Sequence, residues 1–111
     1  MADTESDPDA DPVEGLFWDC AAQLYEIDGV AESTMFGYRC IRVHGEFVAM
    51  TANDSLWVKL PEEMVNGLIQ SGTGEVCAPN GRPFREWVGI PHLDETAWLS
   101  LLRESIDFVR P

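Results

Sequence analysis

The chain is poor in basic residues. Seven Lys and Arg stand against 20 Asp and Glu, for a net charge of −13, and Lys59 is the only lysine. Duplex DNA carries about one negative charge per 1.7 Å of axis, so a protein this acidic is repelled from it. Direct binding to nucleic acid or to an anionic membrane is therefore not expected unless the few arginines cluster. Long apolar runs are also missing: none approaches the roughly 20 residues that span a bilayer. The opening Met1-Ala2-Asp3-Thr4-Glu5 has no basic region and no apolar stretch behind it, so no signal peptide is expected and the expected compartment is the cytoplasm. Cysteine is sparse and unpaired in pattern. Cys20, Cys40 and Cys77 are odd in number and form no C-x-x-C, which argues against a disulfide framework and a structural zinc site. Three reduced, buried thiols are the expectation. No P-loop, G-x-G-x-x-G, G-x-S-x-G or H-E-x-x-H occurs, so neither a catalytic site nor a cofactor or metal is expected.

What is present is the material of one domain. A length of 111 residues with 45% hydrophobic content supports a single modest core. Residues 1–11 hold five carboxylates and almost nothing apolar, the composition of a disordered acidic tail. Residues 12–111 are then the domain, with 15 acids against 7 bases.

Asp11-Pro12 is a good helix start, because Asp caps free N–H groups and Pro is tolerated at the first position. Val13, Leu16, Phe17, Cys20, Leu24 and Ile27 keep helical spacing up to Asp28-Gly29. Three strands are predicted next, over Thr34–Val43, Glu46–Thr51 and Ser55–Leu60, with turns at His44-Gly45 and Asn53-Asp54. The alternation puts Phe47, Ala49 and Thr51 on one face, and Trp57 with Lys59 opposite Leu56, Val58 and Leu60. Pro61-Glu62-Glu63 opens a second helix that Gly72 and Gly74 close. Glu75–Ala78 and Phe84–Ile90 are further strands around Pro79-Asn80-Gly81. A final helix runs from a cap at Asp94 to Val109. The order is α-β-β-β-α-β-β-α. Turns too short for parallel crossovers make this a two-layer α+β domain, an antiparallel sheet with helices on one side.

The polar residues mostly have structural readings. His92 with Asp94 and Glu95 reads as a loop beside a helix cap before it reads as an acid/base cluster. Glu62-Glu63 serves the helix dipole. Ser71-Gly72-Thr73-Gly74 lacks the Lys and following helix of a phosphate loop. Trp18 and Trp98 fall on or beside helical core faces. Trp57 and Trp87 sit on strands, where burial under a helix and exposure as a binding hot spot both remain open. Arg39, Arg42, Arg82 and Arg85 would form a basic patch if the first and last strands approach.

Several short motifs, in order, resemble the TfoX N-terminal domain family. Met35-Phe36-Gly37 follows the first helix. His44-Gly45-Glu46-Phe47 and Leu56-Trp57-Val58-Lys59-Leu60-Pro61 come next, then Gly81-Arg82-Pro83-Phe84-Arg85-Glu86-Trp87-Val88, and a last helix carries Trp98 near its start. The similarity covers about residues 12–110. Many members have a second Gly after Met-Phe-Gly where this chain has Tyr38. The resemblance implies a small α+β fold of the type III secretion chaperone kind and no enzymatic activity. The family takes its name from regulators of competence genes, in which this domain is often joined to a second one, so the competence role is not carried over.

Two functions follow. The first is a non-enzymatic interaction or regulatory module that docks a protein, or a second copy of itself, on the sheet face or an edge strand. The expected surface is Tyr38, Arg39, Trp57, Arg85 and Trp87. The alternative is a small-ligand-binding or accessory enzyme domain with a pocket between sheet and helices, lined by the same polar and aromatic set.

Overall fold

In the computed structural model, which describes residues 11–35, 38–52, 54–78 and 81–110, Asp11 caps the first helix. Its carboxylate accepts from the Val13 amide at 2.9 Å and the Glu14 amide at 3.3 Å. Helix α1 spans Pro12–Ala22 and is shorter than its apolar spacing predicts. Beyond Ala22 the amides of Gln23, Leu24 and Ile27 reach back three residues, to Cys20, Ala21 and Leu24. Such tighter turns preserve the inward direction without an α-helix. Leu24 is thus fully buried and Ile27 packs on the core.

Six strands follow the expected antiparallel plan, one more than the sequence suggests. The segment expected as one strand over Thr34–Val43 is a hairpin. Strand β1, Val30–Met35, pairs with β2, Tyr38–Val43, in a register running from Val30↔Val43 to Met35↔Tyr38. Gly37 was the available signal: a glycine inside an alternating run marks a break. Strand β3 is Glu46–Ala52 and β4 is Ser55–Lys59. His44 (φ 50°) and Gly45 (φ 85°) turn the chain between β2 and β3, the two left-handed residues that suit strand twist. Helix α2 is Glu62–Gln70, β5 is Glu75–Val76, β6 is Trp87–Ile90, and α3 is Glu95–Val109. The full order is therefore α-β-β-β-β-α-β-β-α, and the sheet order is β1-β2-β3-β4-β6-β5.

Strands β5 and β6 are shorter than expected. The ladder toward β4 ends where the Leu60 amide donates to the Glu86 carbonyl at 2.9 Å, so Phe84 and Arg85 lie outside the sheet. Pro83, which has no N–H to offer, precedes them.

All three helices cover one face. A single core joins Phe17, Leu24, Ile41, Leu56, Val58, Leu60, Val65, Val88, Trp98 and Leu102. Trp98, wholly buried, satisfies its indole N–H on the His92 carbonyl at 2.8 Å. A register shift at Ile41/Arg42 leaves Val48 unpaired between Ala49, opposite Ile41, and Phe47, opposite Arg42. This bulge turns Val48 and Ala49 both toward the helices. Phe47 consequently faces away from them, contrary to the simple alternation that grouped it with Ala49 and Thr51. Ser105 of α3 donates to the Val48 carbonyl at 3.2 Å.

The tail expected over 1–11, apart from Asp11, lies outside the described residues. So do Phe36, Gly37, Asn53, Pro79, Asn80 and Pro111, and with them part of the family motif; of Met35 only the backbone is described.

Candidate functional site

The sheet face away from the helices is built by period two. With Leu56, Val58, Val88 and Ile90 inward, Trp57, Lys59, Trp87 and Gly89 point out. Register joins them laterally: Trp57↔Gly89 and Lys59↔Trp87. A side chain at Gly89 would begin 3.4 Å from the Trp57 indole nitrogen, so Trp57 lies along the bare backbone there. On its other side Trp57 pairs with Met50, and Met50 pairs with Cys40. One row across the face therefore reads Cys40, Met50, Trp57, Gly89. Below it the Arg42 guanidinium stacks on Phe47, 4.2 Å from the ring centroid. Tyr38 is 54% exposed at the end of this face, whereas Trp57 and Trp87 are half-buried.

At the open end of β4 and β6 lies a recess of about 360 Å³. Lys59, Glu62, Phe84, Arg85, Glu86 and Trp87 line it. The sequence-based set is thus split. Arg85, Trp87 and, through the sheet, Trp57 are brought together. Gly81, Arg82 and Pro83 are exposed on the approach to β6.

Arg39 is not part of this surface. It points to the helix side, where its guanidinium sits 4.0 Å above the Trp18 ring and donates to Glu32 at 2.6 Å. That bond raises the Arg39 pKa and holds the Glu32 carboxyl below its usual range. Burial, then the Glu32 charge, pushes the Tyr25 phenol up, with Arg39 opposing. Trp18 is half-buried; its indole N–H donates to Glu14 at 2.9 Å, and the Thr51 hydroxyl also donates to Glu14. The cluster fastens β1 and β2 to α1. The basic patch therefore does not form: β3 and β4 separate β2 from β6, and Arg39 and Arg42 face opposite sides.

All three cysteines are free and buried. Burial pushes the Cys20 thiol up to about 11 and the Cys77 thiol to about 12, and raises Cys40. None is an activated nucleophile. Asp94 caps α3 through the Ala97 amide at 3.1 Å, as its position predicts. Among the described residues no group of three or more His, Cys, Asp or Glu could hold a metal, and no helix is long and apolar enough to cross a membrane.

The sequence carries no signal that Cys40 and Phe47 share this face, or that Glu62 and Phe84 meet in the recess. The bulge at Val48 has no sequence signal. Lys59 was available, since it alternates with Trp57. No protein-family model and no curated protein matches the chain.

Proposed function

We infer that the chain is a non-enzymatic protein-interaction module, of the TfoX N-terminal domain type that its motifs resemble, and that it docks a partner on the helix-free sheet face. The observation that carries this is the composition of that face. Tyr38, Phe47, Trp57 and Trp87 lie on it together with Arg42 and Lys59, two of only seven basic residues in a chain with 20 acids. Aromatic and Arg side chains are the types enriched at binding hot spots. A homodimer through the same face is the second form of this reading.

The test uses Tyr38→Ser combined with Lys59→Glu, an exposed and a half-buried position on the helix-free face. Affinity capture from native lysate and sedimentation of the purified chain are compared with wild type. Loss of a specific partner or a change in oligomeric state is expected. If both are unchanged while circular dichroism shows a native fold, the reading is wrong.

A further inference from the structure

We propose that the recess at the end of β4 and β6 binds a zwitterion of the free amino-acid class carrying an aromatic or large apolar side chain. Its lining holds two cations, Lys59 and Arg85, two carboxylates, Glu62 and Glu86, and two aromatic rings, Phe84 and Trp87. The charges sum to zero in a chain whose net charge is −13. They do not satisfy one another. Among the described residues the Arg39–Glu32 ion pair and the His44–Asp28 contact lie elsewhere, and no ion pair joins the four recess charges. Two cations in so acidic a chain, beside two carboxylates yet unpaired with them, leave both signs free for a ligand.

Backbone structure holds the groups in place. Lys59 is fixed by its register with Trp87. Glu86 sits at the closing rung of the ladder, where its carbonyl accepts from the Leu60 amide. Glu62 is the first residue of α2. A volume of about 360 Å³ falls at the small end of the ~300–1,000 Å³ range of small-molecule sites. The ligand's carboxylate meets Lys59 and Arg85, its ammonium meets Glu62 and Glu86, and its ring lies against Trp87 and Phe84.

Net charge selects the class. The field of the chain repels an anion. A cation is drawn to acidic surface everywhere, with no preference for this recess. A neutral molecule with separated charges escapes both effects and gains only where both signs converge. The inference stands on the recess alone and survives if the sheet face docks nothing.

Isothermal titration of the full chain with L-phenylalanine, N-acetyl-L-phenylalanine and L-phenylalanine amide tests it. The zwitterion is expected to bind about tenfold or more tightly than either singly charged form, a gap of roughly 1.4 kcal/mol. Lys59→Met and Glu62→Gln should each weaken it by at least about fivefold, roughly 1 kcal/mol. Arg103→Met, outside the recess, should leave it unchanged. Glu62 is exposed, so its variant keeps the fold. Absence of binding by all three probes, equal binding of the zwitterion and either derivative, or indifference to Lys59→Met and Glu62→Gln would overturn the proposal.

Discussion

Gly74 is the position where the addition of one methyl group says most about how α2 is seated on the sheet. A Cβ there would overlap Val88 Cγ2 and come within 3.3 Å of Leu68 Cβ. Val88 is wholly buried, and a β-branched side chain has little χ1 freedom with which to retreat. Gly74 must also keep its amide on the Leu68 carbonyl, at 2.9 Å, so the backbone has little room to withdraw. Overpacking of this kind costs about 1–3 kcal/mol. Gly74→Ala should therefore lower the melting temperature by about 4–8 °C for each kcal/mol lost, the scaling for a domain of this size. Removing the obstacle should rescue the variant. Val88→Ala alone loses about 1.6 kcal/mol of methyl burial, with a cavity cost added, but it clears the space that the new methyl needs. The double variant should then be more stable than the sum of the singles by about 1 kcal/mol or more, within the range of coupling between residues in contact. Urea titrations of the four proteins measure this. Additive losses, or a Gly74→Ala as stable as wild type, would refute the close approach of the turn after α2 to Val88 of β6.

Gly29→Ala should cost about 1–2 kcal/mol, because Gly29 has φ 87° and an L-residue is strained there. His44→Ala should not restore the loss, although the imidazole lies within 2.6 Å of the added carbon. Denaturant titration of both variants checks this. Ser105→Ala should cost about 0.5–1.5 kcal/mol by removing the buried bond to the Val48 carbonyl, and proton exchange at the bulge should quicken. Stability should fall as pH rises from about 9 to about 12: the fold holds the Cys20 and Cys77 thiols protonated, at about 11 and 12 against a reference of 9.0, whereas the unfolded chain ionises first. Their contribution is complete below pH 9 and is lost above it. A Cys20→Ala, Cys77→Ala double variant should flatten that part of the profile in thermal melts.

What was legible in the sequence was what depends on neighbours along the chain. Asp11 and Asp94 announce the starts of α1 and α3 because a cap needs only its own first turn. His44-Gly45 announces a hairpin because the turn itself demands left-handed residues. The split of Thr34–Val43 was visible in Gly37, but alternation on both sides of it outweighed one glycine. What depends on lateral register was not legible. The bulge at Val48 arises from the fit of β3 between β2 and its covering helix α3, and it decides which face Phe47 occupies. Likewise Arg39, Arg42, Arg82 and Arg85 read as one basic patch, yet three residues along β2 put Arg39 and Arg42 on opposite faces, and only the sheet order shows that two strands, β3 and β4, lie between β2 and the β6 that Arg85 precedes.

That sheet order also explains why the open face carries a recess at one end. β5 has two residues and pairs only with Val88 and Gly89, so Trp87 has a strand neighbour on the β4 side alone. Lys59 is the last residue of β4, and α2 begins at Glu62 on the other side of the sheet. The chain must cross from one face to the other within Leu60 and Pro61, and it leaves a notch where it does. Leu60 spends that crossing wholly buried, anchored to the Glu86 carbonyl, so the notch cannot close by the strands sliding together. Filling it with protein would need a longer β5 or an earlier start to β6, and Pro83 stands where that extension would begin. The ladder thus fixes the backbone of Lys59, Glu86 and Trp87 around the notch, while Phe84 and Arg85 reach its rim from outside the sheet.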